Sequence, residues 1–140
     1  MGRVLAVDWG LKRVGVALSD ETRLIARPLP TLHVTSLRQA VSALVDLVQA
    51  NDVITLVIGL PIHMSGFEGE SAQRARKMTE ALEAKLPHVR FVLWDERLTS
   101  KQAGEILRSR KEKVGGRNKG RIDQVAAAVL LQNFLDSESP

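Results

Sequence analysis

The sequence of 140 residues has no cysteine, no tyrosine, two tryptophans and three phenylalanines. Without cysteine the chain cannot form disulfides, thiolate zinc sites or a cysteine nucleophile, which suits a reducing cytoplasm. The scarcity of aromatic residues argues against a base-stacking surface of the kind found in OB and RRM domains. If nucleic acid binds this chain, it is therefore expected to bind mainly through its phosphates.

Long hydrophobic runs are also absent. The longest apolar stretch, Val53 to Ile62, is about half a membrane span and is interrupted by Gly59 and Pro61. The N-terminus has neither the apolar segment nor the cleavage site of a signal peptide. We therefore expect a soluble, cytoplasmic protein with no membrane partner, folded as a single domain over residues 1–140.

The net charge of +4 is distributed unevenly. Residues 108–121, called here the basic segment, carry seven basic residues against one acidic residue, a net charge of +6 that leaves −2 for the rest of the chain. The basic residues are Arg108, Arg110, Lys111, Lys113, Arg117, Lys119 and Arg121. Such a segment on a slightly acidic body is typical of a polyanion-binding protein, although a solvated loop has the same composition.

Hydrophobic periodicity predicts the element order β-β-β-α-β-α-β-α-α. Strands are predicted at residues 3–8, 14–19, 25–33, 53–60 and 89–94, and helices after Ser36, over 71–86, after Thr99 and from about 120 to 135. Two prolines place the third strand at a sheet edge. The order indicates an α/β fold, a mixed five-stranded sheet flanked by helices.

Acidic residues occupy three places where a purely structural protein rarely has them. Asp8 ends the first apolar strand, and Glu96, with Asp95 beside it, follows another strand. Asp123 lies on the apolar stripe of the last helix, with Ala127 one turn further on. An unpaired carboxylate buried there would cost several kcal/mol, so each acid needs a partner.

That partner is either a basic residue or a cation that the acids share. Carboxylates converging at strand ends repel one another unless a metal offsets their charge. Oxygen ligands without histidine or cysteine favour Mg²⁺ or Mn²⁺. Such metals can activate water and stabilise the leaving oxygen in phosphodiester hydrolysis.

Four motifs then match a known family in order. They are Val7-Asp8-Trp9-Gly10-Leu11-Lys12-Arg13-Val14-Gly15-Val16-Ala17, Gly59-Leu60-Pro61, Asp95-Glu96-Arg97-Leu98-Thr99 and Lys119-Gly120-Arg121-Ile122-Asp123-Gln124-Val125-Ala126-Ala127. Together they resemble the YqgF/RuvX family over nearly the whole chain. The resemblance implies a ribonuclease H-like fold, kinship with RuvC-type Holliday junction resolvases, and a metal-dependent nuclease that processes the 5′ end of pre-16S rRNA.

The resemblance also implies roles for individual residues. Asp8, Glu96 and Asp123 match the catalytic acids and, with Asp95 as a fourth candidate, the ligands of Mg²⁺ or Mn²⁺. The residues expected to hold nucleic acid are Lys12, Arg13, Arg97, Lys119 and Arg121. For the first two the alternative is an exposed turn, and for the third an ion pair with Asp95 or Glu96.

Two positions depart from the family pattern. Where members often have asparagine and aspartate after the second motif, this chain has His63 and Ser65. Any metal or substrate contact assigned to those positions is therefore in doubt, and His63 becomes a candidate proton carrier. Trp9 and Trp94 are expected to be packing residues.

Three classes of function compete on the sequence alone. An endonuclease would act either on branched DNA, as a symmetric homodimer with paired sites, or on pre-rRNA, which requires no such symmetry, so the chain is expected to be a monomer or a homodimer. A phosphotransferase of the actin-like kinase group would need a second lobe for which the chain has no room. A catalytically silent binding module would have acids poorly matched to metal.

Overall fold

A computed structural model describes residues 2–10, 12–63, 65–96 and 119–138, and for residues 119–124 it describes the backbone only. Its elements in chain order are β1 (Arg3–Trp9), β2 (Arg13–Ser19), β3 (Ala26–Pro28), β4 (Leu32–His33), α1 (Leu37–Ala50), β5 (Val53–Leu60), α2 (Glu70–Lys85), β6 (Arg90–Asp95) and α3 (Lys119–Glu138). The helix predicted after Thr99 lies outside these residues.

The strands form one mixed sheet, as predicted. Its order is β3-β2-β1-β5-β6, and β4 also pairs with β2. β1 is antiparallel to β2 and parallel to β5, and β5 is parallel to β6. The carboxyl ends of β1, β5 and β6 therefore meet at one edge, which we call the carboxylate edge.

The third predicted strand is wrong in detail. It is two short strands, β3 and β4, that both pair with β2 at the sheet margin, separated by a segment that contains Pro30. Proline cannot donate a ladder hydrogen bond, so a single strand through Pro28 and Pro30 cannot stay paired along its length. The expected edge position is correct.

Each face of the sheet has its own core, because side chains alternate along a strand. Leu5, Val7, Leu56 and Ile58 pack with α1 and α2 on one face. Val4, Ala6, Ala17 and Val57 pack on the other face with α3, whose contributing residues are Ala127, Leu130, Leu131, Phe134 and Leu135. We call these the α1/α2 face and the α3 face. As predicted, β5 is buried on both.

The predicted caps and helical faces are largely confirmed. Ser36 caps α1 by accepting a hydrogen bond from the Gln39 N–H at 3.1 Å, while Gln39 Oε1 accepts from the Thr35 N–H at 2.6 Å instead of from Ser36. On α2 the predicted stripe of Ala75, Met78 and Leu82 is fully buried. None of the described helices is long and apolar enough to cross a membrane.

One prediction of burial fails. The sequence predicts a buried strand at β6, but its residues are half-buried or exposed, and β6 lies at one end of the order of the described strands. Among the described strands β6 pairs with β5 alone, whereas β1 and β5 each lie between two strands. The apolar residues of β6 are therefore more exposed than those of β1 or β5.

Candidate active site

Asp8 and Glu96 come together at the carboxylate edge. Asp8 is the sixth residue of β1 and lies on the α3 face, in alternation with Val4 and Ala6. Glu96 directly follows β6 and lies on the same face as Trp94, two residues before it. Both side chains are half-buried, so each carboxylate is in reach of solvent and of the protein interior.

Gly59 locates the Glu96 carboxylate. A methyl group on Gly59 would lie 2.5 Å from Glu96 Oε1 and 2.7 Å from Leu130 Cδ1. The Glu96 side chain therefore folds back over β5 and packs between the sheet and α3. Only glycine permits this approach, because any side chain at residue 59 would occupy the same space.

Asp8 lies one strand away from this point. The β1–β5 pairing runs through Val7 and Ile58, so continuing the register places Asp8 beside Gly59. On its other side Asp8 pairs with Gly15 of β2. Since neighbouring strands are about 4.8 Å apart, Asp8 and the carboxylate above Gly59 are separated by roughly one strand spacing. Both residues that flank Asp8 on the neighbouring strands are therefore glycines.

Asp95 lies on the opposite face. It pairs in register with Leu60, and Leu60 belongs to the core of the α1/α2 face. Strand alternation therefore directs Asp95 away from Asp8 and Glu96. Of the two adjacent acids, the structure brings Glu96 and not Asp95 to the α3 face.

The course of α3 brings the backbone of Asp123 to the same end of the sheet. Arg90, at the start of β6, forms an ion pair of 3.1 Å with Glu138 at the end of α3, whereas Leu130 lies over Gly59. The helix thus runs against the direction of β1 and β5, and its first turns point toward the carboxylate edge. Asp123 precedes Ala127 by four residues and therefore shares the helical stripe of that buried residue.

The basic candidates divide into three groups. Arg13 is half-buried on the α3 face, two residues from Gly15, and Lys12 is exposed on the preceding turn. Lys119 and Arg121 occupy the first turn of α3, where the structure describes their backbone only. Arg97 lies outside the described residues, as does most of the basic segment. Of the two candidates whose side chains are described, Arg13 is therefore the one that shares the face of Asp8.

A hard divalent cation fits the chemistry of the two described carboxylates, because such ions prefer oxygen ligands, which Asp8 and Glu96 supply on one face of the sheet. No three described side chains of histidine, aspartate or glutamate converge to hold a metal. A third ligand from the acids singled out in the sequence would have to be Asp123, whose side chain lies outside the described set.

Two further features of the site are hard to find from the sequence. In the sequence Gly59 is noticed only as part of the motif Gly59-Leu60-Pro61. A glycine at the end of a buried strand is nevertheless a signal that another group closely approaches the backbone. Phe67 belongs to none of the four motifs, yet it is 64% exposed and its ring stacks on His63 beside the carboxylate edge. Trp9 and Trp94 are packing residues, as predicted, the latter meeting Phe134 edge-on at 5.8 Å.

Comparison with known proteins gives consistent matches over the full chain. The model of the RuvX family, described as Holliday junction resolvase, matches residues 2–137. A relative from Endomicrobium trichonymphae, named "Putative pre-16S rRNA nuclease", is 36% identical over 139 residues, with 99% of each chain covered. A relative of the same name from Syntrophus aciditrophicus is 40% identical over 137 residues, covering 98% of this chain and 90% of the relative.

Solved structures share the fold at low identity. RuvC of T. thermophilus in complex with a Holliday junction substrate superposes with a TM-score of 0.62 at 12% identity, covering 99% of this chain and 97% of the other. The Fowlpox virus resolvase with Holliday junction DNA gives a TM-score of 0.57 at 13% identity, covering 96% and 97%. These matches show a common ribonuclease H-like architecture, which agrees with the fold expected from the motifs.

Proposed function

The chain belongs to the RuvX family, and on that premise we propose that it is a divalent-metal-dependent nuclease that processes the 5′ end of pre-16S rRNA. The resemblance carried by the four motifs is thereby confirmed. The proposal covers residues 1–140 as one catalytic domain acting in the cytoplasm. It takes pre-16S rRNA as substrate because the curated relatives carry that name over nearly their whole length.

The observation that carries the proposal is the position of the Glu96 carboxylate. It lies over Gly59, one strand from Asp8, at the edge where three parallel strands end. Open α/β sheets bind their ligands at the carboxyl ends of strands, so a substrate phosphate can reach this point without displacing the core. The two acids lie on one face of the sheet at this point, where a shared cation would offset their mutual repulsion.

In the proposed reaction Asp8, Glu96 and Asp123 would hold Mg²⁺ or Mn²⁺. The metal would supply activation of the attacking water and stabilisation of the leaving oxygen. Asp8 and Glu96 would supply their oxygens at the carboxylate edge, beside Leu130 and Val57 of the apolar core of the α3 face. Arg13 and Lys12, together with Lys119 and Arg121, would pair with flanking phosphates. Asp95 is left outside the ligand set because it lies on the other face.

A second candidate function is cleavage of branched DNA. It is favoured by the description of the matching family model as Holliday junction resolvase. Paired cuts in a junction require two active sites related by symmetry, and hence a homodimer. A nuclease that trims one rRNA strand needs no such symmetry, so the oligomeric state helps to distinguish the two substrates.

Cleavage of two end-labelled substrates tests the function. We expect a fragment spanning the precursor 5′ end of 16S rRNA to be cut in Mg²⁺ or Mn²⁺ and left intact in EDTA, with a four-way DNA junction as the competing substrate. Asp8→Asn should reduce cleavage by at least about a hundredfold, because an amide cannot replace a charged metal ligand.

Asp46→Asn is the matched control, since Asp46 is an exposed acid on α1, on the other face of the sheet. It should cut as wild type does. If wild type cuts the DNA junction and not the RNA fragment, branched DNA is the substrate and the second candidate function holds. Failure of wild type to cut either substrate, or activity of Asp8→Asn within about tenfold of wild type, would overturn it.

A further inference from the structure

The loop between β5 and α2 presents two stacked rings to solvent. The His63 and Phe67 rings are 5.5 Å apart between centroids and inclined by 26°. Phe67 remains 64% exposed, although phenylalanine is otherwise a residue of the interior. The chain has only three phenylalanines and no tyrosine. Packing in the core does not explain why one of these rings is exposed in this loop.

Two backbone hydrogen bonds within the loop involve the residues that carry the rings. The His63 N–H donates to the Phe67 carbonyl at 2.9 Å, and the Gly66 N–H donates back to the His63 carbonyl at 2.8 Å. Gly66 has a φ of +91°, which glycine adopts without strain and which closes this tight turn. The backbone at His63 and Phe67 is thus held by its own hydrogen bonds, which would lower the entropy cost of ordering the loop on binding.

An ion pair ties the same loop to α2. The Arg76 guanidinium donates two hydrogen bonds to the Glu68 carboxylate, of 2.7 and 2.9 Å. It holds the pKa of the Glu68 carboxyl below its usual range, chiefly through the hydrogen bonds, so this acid stays ionised and matched by a cation. The acidic residue beside Phe67 therefore presents little unbalanced negative charge to a phosphate backbone.

The rings lie close to the carboxylate edge. Only three residues lie between Gly59, over which the Glu96 carboxylate lies, and His63, so four Cα–Cα steps join the two positions. A chain of that length spans at most about 14 Å even when fully extended. Beside the rings a cavity of about 360 Å³ opens between the loop and the start of α2, lined by Pro61, Ile62, His63, Gly69, Glu70 and Ser71.

We propose that the His63–Phe67 ring pair stacks an unpaired base of the nucleic acid whose phosphate lies at Asp8 and Glu96. This rests on the proposed nuclease function and deepens it. Every base offers a π face to an aromatic ring, whereas bases within a duplex are already stacked and paired. The site therefore selects a single-stranded segment next to the cut, without reading its sequence.

Binding of a single-stranded RNA from the precursor 5′ region tests this proposal. Fluorescence anisotropy is measured in Ca²⁺ instead of Mg²⁺, and a gel verifies that the RNA stays intact. Phe67→Ala should raise Kd about five- to twentyfold, in the lower range for removal of one base–aromatic stack. Phe67→Trp should keep the wild-type Kd. Because the variant removes a base stack and leaves every phosphate-binding cation in place, the salt dependence of Kd should not change.

Ile25→Ala is the matched control. Ile25 is 65% exposed, as Phe67 is, but it precedes β3, at the other margin of the sheet. It should bind RNA as wild type does. A general decrease in surface hydrophobicity would instead weaken both variants alike.

An abasic scan of the same RNA identifies the contact. One position lacking its base should weaken wild type about as much as Phe67→Ala does, and should weaken Phe67→Ala no further. Equal effects on both proteins at every position would overturn the proposal, as would wild-type affinity of Phe67→Ala. If wild type cuts RNA while either of these results holds, only the stacking inference fails. If wild type neither binds nor cuts RNA, the proposed function fails with it.

Discussion

Gly59 is the residue on which the geometry of the candidate site depends most directly. Gly59→Ala would introduce a methyl group within 2.5 Å of Glu96 Oε1 and 2.7 Å of Leu130 Cδ1. We expect overpacking to lower the free energy of unfolding by about 1–3 kcal/mol. Because the Glu96 carboxylate has to move, cleavage should fall by at least about tenfold at saturating metal. Denaturant melts and cleavage rates measure the two effects separately.

Val48→Ala provides the comparison for this variant. Val48 is buried in α1, on the far face of the sheet, and its truncation should destabilise the protein by a similar amount, about 1–3 kcal/mol. Its cleavage rate should nonetheless match wild type below the melting temperature. If Gly59→Ala and Val48→Ala cut equally well, the Glu96 carboxylate does not need its place over β5.

Asp20 gives a pH-dependent prediction at the residue scale. Its carboxylate accepts hydrogen bonds from the Thr22 hydroxyl and from the N–H groups of Ile25 and Leu24, in that order of effect, which lowers the pKa of Asp20 from 3.8 to about 2. A depressed pKa means that the stabilisation is complete above the unfolded value and disappears as the pH falls toward 2.

Thr22→Val removes the strongest of these donors. The pKa of Asp20, followed by NMR titration of its carboxyl carbon, should then rise toward its ordinary value. Thr22→Ser keeps a hydroxyl and should leave the pKa near that of wild type. An unchanged titration in Thr22→Val would show that the two backbone donors alone hold the carboxylate ionised.

At the scale of elements, α3 decides whether Asp123 is a ligand or a structural acid. Without metal, a ligand on this stripe is one of several like charges near Asp8 and Glu96, which destabilises the folded state. In EDTA, Asp123→Asn should then be as stable as wild type, or more stable by about 1 kcal/mol, while cleavage is abolished. Added Mn²⁺ should stabilise wild type more than the variant, because it binds the native state.

If Asp123 has a structural role instead, Asp123→Asn should lower the stability of the protein. If Asp123 pairs with a buried cation, the same substitution leaves that cation alone and should cost about 3 kcal/mol or more. Denaturant melts of both proteins, in EDTA and in Mn²⁺, decide between the two. A large decrease in stability in EDTA would exclude the ligand role.

Some of the helices and strands could be predicted from the sequence and others could not. The strand from Val53 to Leu60 and the stripe of α2 were predictable because their apolar patterns are long and bounded by turn residues. The exposure of β6 was not, since an apolar run does not reveal whether its strand lies at the centre or the margin of a sheet. Likewise, the pattern of Leu32 and His33 does not show that a second short strand resumes after Pro30.

The candidate site divides along similar lines. Asp8 and Glu96 could be chosen from their places at strand ends, and strand alternation could have separated Glu96 from Asp95. The approach of Glu96 to Gly59 depends on tertiary packing against Leu130, for which the local sequence has no signal. The stacking of His63 on Phe67 depends on a turn closed by Gly66, and the low overall aromatic content points away from it.

For the whole molecule, the basic segment sets the expected electrostatics of binding. Neutralising Lys111, Lys113, Arg117 and Lys119 together should weaken binding of all sequences alike. The slope of log K against log salt should become shallower by about 0.7 for each phosphate of a single strand that is no longer neutralised, or about 0.9 for a duplex. Binding titrations at several salt concentrations measure this slope. An unchanged slope would identify the segment as solvated linker.

The α3 face has a consequence for how the protein is made. It is covered by a helix that follows all six described strands in the chain, and the Gln132 side chain accepts from the Ala26 N–H across 106 positions. A nascent chain that has emerged only as far as β6 can already form the α1/α2 face, yet Val4, Ala6 and Val57 still lack the helix that covers them. Contacts of such long range form late and slowly. The edge that carries Asp8 and Glu96 is thus completed only once α3 has emerged, so a nuclease proposed to act on ribosomal RNA gains its α1/α2 face before its active site is whole.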